Sequence, residues 1–297
     1  MAAEPLLTLR HGALRLELAP DIGGSIARCF SEQDGQRRHW LRPASAEALC
    51  QGLAEGMACF PLLPHGGRVR DGRYLGSDGQ WHRLPDGTRH SLHGIGWRLP
   101  WQTESLGEHA ARLTLTVDSG QWPFPFLAEQ TITLDDSGFS HTLRLTLLGD
   151  APLPHPCGLG LHPYFPRTPD CRIRLLTAGM WRTDDAVLPL QPTPATALRR
   201  HLQFGWSPDR RALDNTFYGW QRQADIDWGS HTLRLQADSR FVALYTPAEQ
   251  DFFCLAPCTH VPDFANHADA PPAQRGGHWL RPGDTLALSC RYRWQIR

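Results

Sequence analysis

The chain has 297 residues, 41% hydrophobic and 20% charged, a composition that supports a large buried core. Its 30 basic and 30 acidic residues cancel, leaving no electrostatic footprint for nucleic acid or an anionic membrane surface. All 30 of those basic residues are arginine, which excludes Schiff-base aldolases, pyridoxal-phosphate enzymes and Walker-A nucleotide sites.

The opening Met1-Ala2-Ala3-Glu4-Pro5 leads into alternating sequence rather than a basic and then apolar leader. No apolar run is long enough to cross a bilayer. Period two then dominates the chain. Leu7 and Leu9, then Leu14, Leu16 and Leu18, alternate with polar or small residues around a turn at His11-Gly12. Residues 45–57 are the best helical candidate, and a short one. Leu113, Leu115 and Val117 repeat the strand pattern. Ile132 and Leu134 precede the polar turn 135–138, and Leu143, Leu145 and Leu147 follow it, which predicts a hairpin. Leu233 and Leu235, Val242 and Leu244, and Leu286 through Trp294 close the chain in the same style. The 27 glycines and 25 prolines fall between strands, and no linker or repeat divides the sequence. One domain over 1–297 is expected, all-β, with two antiparallel sheets packed face to face and a concave face open to a ring-shaped ligand. Eight scattered cysteines show no Cys-x-x-Cys pair and no zinc spacing, as suits free thiols in a reducing cytoplasm.

Four segments carry groups able to do chemistry. Pro64-His65-Gly66-Gly67-Arg68 is an irregular loop whose backbone can approach a ligand and whose arginine offers five fixed donors; a solvated basic loop is the other reading. His90-Ser91-Leu92-His93-Gly94 sets two histidines on opposite faces of an extended segment, so His93 reads as a hydrogen-bonding group and not as a metal ligand. Gly158-Leu159-Gly160-Leu161-His162-Pro163-Tyr164-Phe165 presents a histidine whose unperturbed pKa suits proton donation near neutrality, or else one satisfied within the core. Leu213-Asp214-Asn215-Thr216-Phe217 places a carboxylate beside aromatic residues, either for paired sugar hydroxyls or as a simple turn. Trp97, Trp101 and Trp220 are candidates for a stacking platform. A metal set of His260, Asp263 and His267 matches no known spacing.

The order of these segments, followed by Cys254-Leu255-Ala256-Pro257, resembles the aldose 1-epimerase (galactose mutarotase) family over nearly the whole chain. The resemblance implies a galactose-mutarotase-like β-supersandwich with few short helices, a free monosaccharide substrate and no metal or organic cofactor. It gives no oligomeric state. It also implies that α and β anomers interconvert by acid/base ring opening. His162 then matches the general acid, His93 the second histidine near the ring oxygen, and Arg68 and Asp214 the hydroxyl-binding positions, with Trp97 beside them. Two positions depart from the family pattern. Gly67 stands where an asparagine is common, and Ala256 stands where the carboxylate base belongs. Asp214, Glu249 and Asp263 are the carboxylates nearest by motif or sequence to replace that base. The alanine admits three readings: an introduced substitution, a natural site using another group or water, or a carbohydrate-binding protein without catalysis. The arginines at 68, 70 and 73 add a further possibility, an epimerase for an anionic sugar.

Overall fold

The computed structural model describes residues 6–33, 35–85, 87–150, 153–210 and 212–297; the opening segment 1–5 lies outside them. Among the described residues, two large antiparallel sheets carry most of the chain. The eleven-stranded sheet runs in the order Leu7–His11, Leu14–Ala19, Ser25–Gln33, Cys59–Leu62, Gly160–Pro166, Phe252–Cys258, Phe241–Thr246, Leu213–Tyr218, Gly179–Thr183 and Pro189–Thr193, with Gln36–His39 paired to Ser25–Gln33. The eight-stranded sheet runs Gln102–Ser105, Ala110–Val117, Phe126–Asp135, Gly138–Leu147, Thr285–Ile296, His231–Ala237, Gln223–Asp227 and Arg172–Leu175. The expected hairpin is present: Asp135 pairs with Gly138, and the two strands continue in register to Phe126 and Leu147.

Alternation decides what each sheet face does. In the larger sheet Phe165, Phe217, Val242, Leu244, Phe253 and Leu255 are fully buried in the core shared with the smaller sheet. Phe139 and Tyr292 meet them from the smaller sheet, stacked at 4.2 Å and 8°. The intervening residues point to the opposite face, because successive side chains of a strand alternate. That outer face is where the cavity lies.

Helix is scarce, as expected, but differently distributed. Only Ala46–Gln51 of the 45–57 stretch is α-helical; Ser45 caps it by accepting from the Ala48 N–H at 3.0 Å, and Gly52 in the left-handed region (φ 69°) ends it. A single 3-10 turn, Ala54–Gly56, follows. The longer helix Thr196–Phe204 buries Leu198 and Leu202 and has no side-chain cap, so the sequence offered no start signal for it. No helix among the described residues is long and apolar enough to cross a membrane.

Candidate functional site

Five neighbouring strands and the segments beside them enclose a cavity of about 220 Å³ on the outer face of the larger sheet. Its lining includes every site residue expected from the sequence: Gly67, Arg68, His93, Trp97, His162, Asp214 and Ala256. Register explains the convergence. Thr216 pairs with Ala243 and Ala243 with Ala256, forming one cross-strand row of the floor. Gly160 opposite Cys258 and Tyr164 opposite Cys254 bring His162 alongside Ala256 at the end of that row. The adjacent row is Asp214, Tyr245, Cys254 and Tyr164.

The two histidines are held differently. His93 has φ 61° and follows the short pairing of Arg68–Val69 with Ser91–Leu92. Its N–H donates to the Gly67 carbonyl at 3.0 Å, and its Nδ1 accepts from the Gly67 N–H at 2.9 Å. Burial, with His162 and Arg68 adding to it, keeps the ring neutral, so Nε2 carries the proton and remains a donor. Gly94 completes the turn at φ 69°; a Cβ there would lie 2.2 Å from the Leu63 carbonyl oxygen. His162 stacks on Phe60 at 4.7 Å and 12°, leans on Tyr164 at 4.9 Å, and meets His93 edge-on at 5.4 Å. Its Nδ1 is buried, which leaves Nε2 to face the cavity.

Burial lowers the His162 pKa to about 4, so the ring is neutral at pH 7 and not the ready proton donor expected from the sequence. A neutral imidazole can still hydrogen-bond a ligand through the nitrogen that faces the cavity.

Asp214 is open to the cavity yet enclosed by protein elsewhere; this enclosure raises its carboxyl to about 6, while Arg68 pulls the other way. The Arg68 guanidinium itself has no hydrogen-bond or ion-pair partner among the described residues and is available to a ligand. Glu55, which no motif marked, also lines the cavity from the 3-10 turn. Arg42 fixes that turn, donating to the Glu55 and Met57 carbonyls at 2.9 and 2.8 Å while its guanidinium covers the Tyr164 ring at 4.0 Å.

The other named carboxylates lie elsewhere. Asp263 is buried outside the cavity lining, accepting from the Arg70 N–H at 3.1 Å and from Asn266 at 2.7 Å. Glu249 occupies a turn at φ 58° and does not line the cavity. Arg70 reaches Asp184 at 3.2 Å, and Arg73 covers the Trp81 ring at 4.5 Å, so of the three loop arginines only Arg68 meets the cavity. Trp97 forms wall, its indole N–H held by the Leu92 and Gly94 carbonyls, whereas Trp101 and Trp220 belong to the core. Beside Trp97, the aromatic surfaces of the cavity are Phe60, Tyr164 and Tyr245. His260 is a cavity-wall residue whose Nε2 accepts from the Gly66 N–H at 2.9 Å, so it is not free to act as a metal ligand with Asp263 and His267.

Gly67 has its own steric reason. A Cβ at this position, where φ is 70°, would sit 2.4 Å from the Pro262 ring, so that proline fills the space of a side chain at 67.

A large two-sheet antiparallel sandwich with two histidines, an arginine and a carboxylate around one outer-face cavity defines a narrow class. The chain belongs to the aldose 1-epimerase family, whose model matches residues 5–293. It is 29% identical over 308 residues to the uncharacterized protein YphB of Escherichia coli K12, covering 97% of this chain and 99% of that one. A crystal structure of a candidate aldose 1-epimerase from Escherichia coli K12 superposes with TM-score 0.85 at 26% identity, covering 99% of both chains. A galactose mutarotase-like protein from Clostridium acetobutylicum shares the fold at TM-score 0.85 and 14% identity, over 98% of this chain and 95% of its own.

Proposed function

We propose that residues 1–297 form one sugar-binding domain that takes a free aldose, in the cytoplasm, and interconverts its α and β anomers. The convergence of His93, His162, Arg68 and Asp214 on one cavity of a family member carries this reading. Arg68 and Asp214 suit a pair of sugar hydroxyls, the guanidinium donating and the carboxylate accepting. Phe60, Tyr164 and Tyr245 suit the apolar C–H face of the ring. His162, helped by the Nε2–H of His93, would hydrogen-bond the ring oxygen and stabilise the charge that grows there as C1–O5 breaks. Rotation about C1–C2 and closure on the other face complete the exchange.

The base side is weak by comparison, since Ala256, where the resemblance implies a carboxylate, puts only a methyl group on the cavity next to His162. That same observation favours the second reading, a carbohydrate-binding protein without turnover. Two-dimensional exchange NMR on freshly dissolved aldoses separates the two. The mutarotase reading expects exchange above buffer, rising about 10²–10⁴-fold in Ala256→Glu. Saturable binding by calorimetry, with anomer lifetimes unchanged in both proteins, would establish the binding reading instead.

A further inference from the structure

We propose that the depression over Ala243 and Ala256 is a binding site for a small carboxylate anion, which serves as the base of the anomeric exchange; this rests on the mutarotase reading above. Two adjacent methyl side chains make the floor lowest in this row. The row beside it carries Tyr245 and Tyr164, both bulky, and the row on the other side carries Cys258 and Leu62. Hydrogen-bonding groups stand at both ends of the low row, the Thr216 hydroxyl and the His162 imidazole. Arg68, which lines the same cavity without a direct ion pair among the described residues and also acts on Asp214, adds positive charge that favours a carboxylate.

The built-in carboxylates are badly placed for the same task. Asp214 lies two strands and one row from Ala256, about 12 Å between Cα positions from strand spacing and rise. Its short side chain therefore addresses hydroxyls remote from His162. Glu55 sits exposed on the 3-10 turn at the rim.

A bound carboxylate would act twice. It accepts the O1 proton and becomes a carboxylic acid while C1=O1 forms. As an anion beside His162 it also favours the imidazolium, which passes its proton to O5 as the C1–O5 electron pair moves there, leaving neutral imidazole. Ring closure on the other face reverses both transfers.

Formate is the probe, with anomer exchange measured at pH 7 and constant ionic strength against chloride and protein-free controls. The wild-type rate should rise about tenfold or more with formate and saturate. Ala256→Glu should exchange quickly and ignore formate, and Ala256→Leu, confirmed folded by circular dichroism, should lose the response. A wild type indifferent to formate, or responding no more than buffer does, while Ala256→Glu turns over, overturns this site but spares the mutarotase reading. Rapid formate-independent exchange abolished by Asp214→Asn would likewise overturn it. Absence of exchange in every variant removes the mutarotase reading as well.

Discussion

Burial moves two cavity groups in opposite senses, His162 down to about 4 and Asp214 up to about 6. The proposed acceptor role of Asp214 therefore calls for pH above about 6, where its carboxyl is mainly an anion, well above the range of an ordinary aspartate. Sugar affinity measured by calorimetry should fall as pH drops through about 6, and Asp214→Asn should flatten that limb. The same shift has a stability sign. The folded protein favours the uncharged carboxyl, so the contribution of Asp214 is complete below its ordinary 3.8 and lost as pH rises through about 6. Asp214→Asn should accordingly raise the melting midpoint at pH 8 and leave it unchanged at pH 3, as followed by calorimetric melting. The identities of the cavity residues were legible because each sits in a short motif whose order along the chain is specific. The protonation state of His162 was not, since it depends on Phe60 and Tyr164 closing over the ring, and register alone brings those together. Glu55 and Tyr245 carry no motif and enter the cavity through the same register and turn geometry.

At the level of loops and strands, Arg70 joins three segments of the cavity wall. Its backbone N–H binds Asp263, its guanidinium binds Asp184, and Asp184 also accepts from the Ala186 and Leu188 N–H groups at 3.0 and 2.9 Å. The turn so fixed holds Val187 at φ 60°, an unfavourable value for a β-branched residue, with its side chain on the cavity. Pro262, next to Asp263, forms the adjoining wall. Arg70→Gln removes only the half-exposed pair with Asp184 and should thus cost up to about 1 kcal/mol in urea denaturation. It should weaken sugar binding further by letting Val187 relax, an effect that Val187→Gly should reproduce in calorimetric binding without the same stability loss. From sequence this arginine looked like part of a basic sugar-facing cluster. Its direction is set by Asp184, 114 residues away, which no local pattern reveals. Gly94→Ala tests the other loop: the added methyl would collide with the Leu63 carbonyl, displacing His93 and destabilising the protein by about 1–3 kcal/mol.

Across the whole molecule, two sheets share one core, and the period-two pattern foretold that architecture from Leu7 to Trp294. Strand order was beyond it, because pairings such as Gly160–Pro166 with Phe252–Cys258 span about 90 residues of sequence and leave no local trace. Phe139 is fully buried in the shared core, stacked on Tyr292 of the neighbouring strand. Phe139→Ala should cost about 3–5 kcal/mol in chemical denaturation, with the sugar site intact in whatever fraction remains folded. The division of labour between sheet faces also bears on descent. Along Phe252–Cys258, Phe253 and Leu255 fill the core while Cys254, Ala256 and Cys258 meet the cavity. Inserting or deleting one residue in such a strand would exchange the two sets, leaving cysteine and alanine to fill the core and aiming phenylalanine and leucine at the cavity. Lineages descending from this protein can therefore gain or lose length between these strands but hardly within them, so that point substitution is the route left open for altering the floor.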